Sequence, residues 1–543
     1  MIDRRSFAAA GIGSMCIPTF TSSVRGSSPG ELVTRCRSTI RAAADYFAGT
    51  VASHGGYVYF YTPSLDRRWG EGEATVDQVW VQPPGTPTVG SAYVDAFNAT
   101  GDPLLLSYAV EAAGAMVAGQ LNSGGWTNCV DFDPAGKRTA DYRRLHAAIR
   151  DTRFKASKKP RRPSHSSLDD DQTTAVLRFL MDLDRAITRH RGAVDTTIRE
   201  TLTIGLTSML DAQHAIGSFP QVWDGPVENL AARPASYPTY DWRTENRIKA
   251  YWDLPTLNDN VAGNVASVLI KGWRTMHSRR CFDALKRLAN FLVLAQMPEP
   301  QPAWAQQYTP EMHPAWARKF EPPAISGHET ADAIETLIEI ARVTRNARWL
   351  EPIPAALRWM RRSELPPSQT PNRDNHPNSD QNSNNDDHSN IAASSNGGKR
   401  LSRYYELRTN RPMYMTRRGK QYDITYDAAE AVDHYSFSMP SPRMDLETRY
   451  RQTVSALNQA SARQPNGSGQ PNDSGELARP PDSRVRQIFD AFDGQRWLSV
   501  GTGERLVGQN RFAPGERYLS SAVFAENVRV LAQYVASFPP TTQ

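Results

Sequence analysis

Cysteine is scarce, with four in 543 residues: Cys16 lies near the start, and Cys36, Cys129 and Cys281 are far apart. That excludes a disulfide framework and a thiolate zinc site, and leaves room for one bridge at most. No run of about 18 apolar residues occurs, so a soluble chain without a transmembrane helix is expected. Excess charge of one sign is also small. The 63 Lys and Arg against 57 Asp and Glu leave +6, too dilute over this length to indicate nucleic acid or a membrane surface as partner. The 11 histidines include no pair spaced as in HExxH, and His165, His313 and His328 read as surface or capping residues rather than metal ligands. Gly124-Gly125 and Gly397-Gly398 read as turns, not phosphate loops. With 39% hydrophobic and 22% charged residues, the chain can bury one large core or two ordinary ones.

Alternating strands are nearly absent, with short Tyr-rich candidates only at 57–61 and 422–426. Helical periodicity takes their place. Apolar residues recur at spacings of three and four in 174–181, 261–273, 282–294 and 331–343, the stripe that a packed helix presents. Similar units follow one another every 80 to 90 residues or so. They open on polar clusters: Asp169-Asp170-Asp171-Gln172-Thr173-Thr174, then Leu257-Asn258-Asp259-Asn260, then Ser326-Gly327-His328-Glu329-Thr330. They close on Gly124-Gly125-Trp126, Ser218-Phe219-Pro220-Gln221 and Pro302-Ala303-Trp304-Ala305-Gln306.

Taken singly, each opening is an ordinary helix cap, because Asp, Asn and Thr accept hydrogen bonds from the free N–H groups of a first turn. Repetition adds a second reading. Helix pairs closing into a ring would set equivalent helix ends around one rim, so that the acidic clusters converge on one cavity suited to a divalent cation and fringed by arginines. Trp126, Phe219, Trp223, Trp304 and Trp316 then either stack on sugars from rim loops or staple the core.

At the N-terminus, Asp3-Arg4-Arg5-Ser6-Phe7 precedes a small and apolar stretch (8–17) and a Ser/Thr-rich one (19–23), the order of a twin-arginine export signal over 1–24. Export to the periplasm or outside the cell is expected, with Cys16 raising a lipoprotein as a variant. A helical portion (25–160) and a toroid core (161–364) follow. Two polar low-complexity insertions, 365–400 and 464–482, should be mobile. The first precedes a C-terminal segment (401–543) that completes the site, and the second lies within it. Residues 485–498 and 518–535 read as further helices, the last docked through Val523, Val528, Leu531 and Val535.

Several motifs together resemble the pectate lyases of polysaccharide lyase family 10, the pectic acid lyase family. These are Leu168-Asp169-Asp170-Asp171-Gln172-Thr173-Thr174; Thr256-Leu257-Asn258-Asp259-Asn260; Ala315-Trp316-Ala317-Arg318-Lys319-Phe320-Glu321-Pro322-Pro323; and Ser402-Arg403-Tyr404-Tyr405-Glu406 with Arg417-Arg418-Gly419, in the family's order. Residues 80–87 are similar to an N-terminal portion of some relatives. The resemblance implies a mainly α fold, an α/α toroid or incomplete helical barrel with long loops and a few short strands. It also implies dependence on Ca2+ and β-elimination of polygalacturonate, an acidic polysaccharide; separately, a monomer is expected.

Residue by residue, Arg318 matches the family's catalytic base, Asp169 and Asp259 its active-site acids and metal ligands, and Asp170 a substrate-binding asparagine. Arg403 and Arg417 match arginines that hold the polymer's carboxylates. Asp170 in place of asparagine, and Arg418 in place of an acid, depart from the pattern. Two other readings stay open: a toroid glycoside hydrolase using two of Asp169, Asp170, Asp259 and Glu329, and a catalytically silent pectin-binding protein.

Overall fold

The computed structural model describes residues 29–136, 141–144, 164–225, 227, 229–244, 250–366, 399–463 and 478–538. The expected export segment 1–24 lies outside them, as do 367–398 of the first insertion and 464–477 of the second.

The described helices are α1 (Pro29–Tyr46), α2 (Thr86–Thr100), α3 (Pro103–Gly119), α4 (Gln172–Arg191), α5 (Thr196–Asp211), α6 (Val261–Met276), α7 (Arg279–Ala295), α8 (Gly327–Thr344), α9 (Ile353–Ser363), α10 (Arg443–Arg463), α11 (Asp482–Asp490) and α12 (Ser521–Ala536). They form an α/α toroid. In its inner layer α12 packs on α2, α2 on α4, α4 on α6 and α6 on α8, while α3, α5 and α7 cover α2, α4 and α6 from outside.

The turn inside each pair is encoded locally. α4 stops at Gly192, whose φ of 66° suits a residue without Cβ. α5 then starts at Asp195, which accepts from the N–H of Thr197 at 3.0 Å and of Ile198 at 3.1 Å. α6 ends on His277 in a left-handed conformation, and Ser278 caps α7.

The repeated closings prove to be staples. Gln120, Gln213 and Gln296, each just after an outer helix, donate Nε2 to the carbonyls of Gly124 (2.8 Å), Gly217 (2.9 Å) and Pro302 (3.0 Å). Thr173 and Thr330 of the openings accept from the N–H of Trp126 and Trp304 at 3.0 and 3.1 Å. The reading of Trp126, Phe219, Trp223, Trp304 and Trp316 as sugar-stacking rim residues is therefore corrected: all five are buried. The four indole N–H groups bond internally, to Met116 O, Ser208 Oγ, Leu292 O and Trp242 O for Trp126, Trp223, Trp304 and Trp316. A ring so covered has no face left for a ligand.

His214, in the closing of the second unit, is buried with Nδ1 2.8 Å from Ser218 Oγ. Burial, against weaker backbone support, drops its pKa from 6.5 to about 4. A depressed folded pKa contributes stability that is present above 6.5 and lost as pH falls through about 4. We expect melting curves to show a loss of the order of 3 kcal/mol over that window, and His214→Gln to flatten it.

Strands are few and short. The 57–61 candidate pairs only at Phe60–Tyr61, because the N–H of Val58 is taken by the Tyr61 hydroxyl at 2.7 Å. The 422–426 candidate is the strand Gln421–Thr425. It ends an antiparallel sheet of four whose order is Gln421–Thr425, Pro412–Arg418, Tyr404–Tyr405, Ile325–Ser326. Tyr404 pairs with Ser326, the residue that starts α8. Gly327 makes the approach feasible, since a Cβ there would lie 2.5 Å from Ser402 O. The C-terminal helix, expected from 518, starts at Ser521 after the strand Arg517–Ser520 and docks through buried Val528, Leu531 and Val535 and half-buried Val523. The expected helix at 485–498 ends at Asp490 and gives way to the strand Leu498–Val500. The three described cysteines, Cys36, Cys129 and Cys281, are buried. No described helix is long and apolar enough to cross a membrane.

Candidate active site

The first two openings share an unusual backbone. Asp170 and Asp171 have φ of 46° and 61°, and Asp259 and Asn260 of 53° and 52°. Asp and Asn tolerate this left-handed region better than other residues with a Cβ. Neither opening therefore caps its helix with a side-chain hydrogen bond, which corrects the capping reading for both. Ser326 does cap α8, accepting weakly from the Glu329 N–H at 3.5 Å. The two left-handed turns touch and bring Asp169, Asp170 and Asp259 together, with one carboxylate oxygen from each inside 4.8 Å of the others.

Asp171 is a different kind of acid. It is buried, ion-paired with Arg178 and bonded by Thr174 Oγ1 at 2.5 Å, so it locks the base of the turn.

Glutamines and an asparagine hold the clustered acids. Gln221 Nε2 donates to Asp169 at 2.6 Å, Gln82 Nε2 to Asp170 at 3.0 Å, and Asn258 Nδ2 to Asp259. Burial, followed by the charges of Asp170 and Asp169, pushes the Asp259 carboxyl well above the ordinary carboxylate range, while Arg318 pulls the other way. On the amides that hold Asp170 and Asp259, Gln82 Oε1 and Asn258 Oδ1 are buried with no hydrogen-bond partner. Crowded carboxylates beside orphaned neutral oxygens, with no sulfur or imidazole among them, are a donor set that fits a hard divalent cation.

Two arginines face this cluster. Arg318 follows Trp316, and its guanidinium lies 2.6 Å from Glu321, with 42% of the side chain exposed. Glu321 also accepts from the Arg318 N–H and from the Tyr435 hydroxyl, both at 2.8 Å. The ion pair with Glu321 that a lone Arg318 would make is thus present, and it stands at the site. Desolvation works against the Arg318 charge, yet Glu321, Tyr435 and Asp259 outweigh it and hold the guanidinium well above its ordinary pKa. Arg403 is buried, lies 4.5 Å over the Tyr435 ring and pairs with Glu329 at 3.7 Å. The sheet pairing of Tyr404 with Ser326 carries it there.

Arg417 is not brought into this group. It is exposed at the hairpin tip, donates Nε to Gly419 O at 2.7 Å and lies over Tyr422. Tyr422 in turn packs on Phe320 at 5.6 Å. Arg418 is also exposed. His328, expected at the surface or in a cap, is half-buried in the first turn of α8; burial, then Arg403 and Arg400, hold its imidazole well below the ordinary value.

Sequence reasoning missed Gln82, Gln221 and Tyr435. Gln221 stands in a recognised closing and Gln82 in a stretch noted only for its resemblance, so position relative to the openings was the available signal for both. Tyr435 had none.

The rim of this α/α toroid sets three carboxylates near two guanidinium groups whose charges Asp259 supports. The chain belongs to the pectic acid lyase family, whose family model matches residues 120–442, more than half of its length, and it is accordingly a polysaccharide lyase. No curated protein matches.

Similar solved structures include a mutant family 10 polysaccharide lyase from Cellvibrio cellulosa in complex with trigalacturonic acid (17% identity, 62% of this chain and 91% of that one, TM-score 0.41). A cellobiose 2-epimerase from Bacillus thermoamylovorans (9%, 94% and 100%, 0.41) and a family 76 glycoside hydrolase from Bacteroides thetaiotaomicron (9%, 93% and 98%, 0.40) are also similar. These TM-scores are low, and the family assignment rests on the family match.

Proposed function

We propose that this lyase cleaves (1→4)-α-D-galacturonan by calcium-assisted β-elimination, with Arg318 as the base, giving 4,5-unsaturated oligogalacturonides. The observation that carries the reading is the meeting of Asp169, Asp170 and Asp259 with Arg318, whose charge Asp259 feels. Elimination removes the C5 proton of a uronate, forms the C4–C5 double bond and expels the C4 oxygen, which takes up a proton. The difficulty is the charge that builds beside the C5 carboxylate.

Asp169, Asp259 and, from its place in the cluster, Asp170 would hold calcium; when bound, the ion neutralises the uronate carboxylate and acidifies C5. Arg403 offers forked N–H groups to a carboxylate, and exposed Arg417 serves a uronate further along the polymer. Arg318 accepts the C5 proton, which requires its deprotonated form, so an alkaline optimum is expected; a rate unchanged from neutral to strongly alkaline pH would count against the assignment.

Glu321 is the largest charge holding Arg318 protonated. Glu321→Gln is therefore expected to move the alkaline limb of the pH–rate profile toward neutrality, and an unmoved limb would remove Glu321 from this role.

The hydrolase reading gains nothing from the geometry. Asp169, Asp170 and Asp259, with one oxygen from each inside 4.8 Å of the others, form a cluster rather than a pair spaced across a sugar ring, and Glu329 is engaged by Arg403 and Ser326. The deciding experiment is incubation with polygalacturonate, with calcium or with chelator. Near-ultraviolet absorbance from the new double bond should grow only with calcium. Reducing ends without absorbance would mean hydrolysis, and binding without either would mean a silent binder.

A further inference from the structure

Gln82 stands apart from every other residue at the acidic cluster because it comes from outside the family-matched segment 120–442. It sits in Gln82-Pro83-Pro84-Gly85, a turn closed by the Gly85 N–H on Gln82 O at 2.9 Å. That turn leads directly into α2. Because α2 packs on α4 and α4 on α6, the lead-in turns of three successive inner helices lie side by side: Gln82, then Asp169-Asp170, then Asp259. The toroid thus extends its ring of helix-start side chains one unit N-terminal of the acids.

Two atoms of this amide bear on a ligand. Nε2 donates to Asp170 Oδ2 at 3.0 Å. Oε1, on a side chain only 2% exposed, is buried without a partner. Leaving a buried carbonyl oxygen unsatisfied is costly, and a cation among the three carboxylates would satisfy it.

We infer that Gln82 is a residue of the cation site, its Nε2 fixing Asp170 and its Oε1 completing the oxygen ligands with Asp169, Asp170 and Asp259. The inference rests on the calcium reading above and adds that the N-terminal part of the toroid sets cation affinity.

Calorimetric titration of the full chain with Ca2+ alone tests it, using the parent, Gln82→Leu and Gln82→Glu, with thermal melting in chelator to confirm folding. Gln82→Leu, which removes both atoms, should weaken binding by about tenfold or more. Gln82→Glu gives up the Nε2 bond to Asp170 but keeps the ligand oxygen and adds a charge that the bound cation screens from Asp170, so it should bind at least as tightly as the parent. Two results would overturn the inference: Gln82→Leu binding like the parent, or folded Gln82→Glu losing affinity. If Gln82→Leu does not fold, Gln82→Glu decides alone. A parent that binds no Ca2+ would instead bring down the calcium reading itself, which separates the two failures.

Discussion

Turnover of polygalacturonate at alkaline pH falls by about 10²- to 10⁴-fold in Arg318→Ala, the contribution expected of a positioned base. Calcium affinity stays at or slightly above the parent's, because Arg318 repels a cation and its guanidinium is engaged by Glu321 at 2.6 Å. Initial rates of absorbance and calorimetry on the same preparation check both halves. Full activity in the variant would mean that Arg318 only anchors Glu321 and Tyr435. A rate loss accompanied by lost calcium binding would mean that it shapes the cluster. Arg318→Lys adds a sharper control: charge is retained, the forked geometry is lost, and a pH profile displaced toward neutrality would mark this side chain as the proton acceptor.

Asp259→Asn should be the second large effect, and it has an unusual signature. Without this carboxylate the cation site loses one of its three charges, so calcium binding should drop below detection at millimolar ion and the rate should fall by about 10²- to 10³-fold, as when a preorganised electrostatic group is removed. Stability should move the other way. The Asp259 carboxyl is pushed far up by burial and by Asp170 and Asp169, so in chelator its neutral isostere should melt higher than the parent. Calcium should raise the melting temperature of the parent and leave Asp259→Asn unmoved. A variant that melts lower in chelator would show that Asp259 is held by structural bonds rather than strained by its neighbours.

Much of the site is legible in the chain. Asp169, Asp259 and Arg318 stand in motifs with a chemical reason, and the repeat of polar openings points to one rim. Sequence alone left the tryptophans open: a closing loop with Gly, Gln and Trp looks alike whether the indole faces a sugar or the interior, and only the carbonyls that receive Trp126 and Trp304 separate the two. It also treated Arg403 and Arg417 as equals. They lie fourteen positions apart, yet one strand pairing buries the first at Glu329 while the hairpin tip holds the second in water.

What the sequence by itself determined is whatever depends on neighbours along the chain: helix stripes, the pair-internal caps at Asp195 and Ser278, and the Asp and Asn residues able to enter left-handed turns. The tertiary structure alone decided which side chains meet. Spacing along a repeat says nothing of distance across a ring, and only the packing of α2, α4, α6 and α8 turns Gln82, Asp169, Asp170 and Asp259 into one cluster. Charge and dielectric follow from that meeting. Asp259 is an ordinary acid in the sequence and an extraordinary one beside two others, where partial burial and their charges both work against its ionised form.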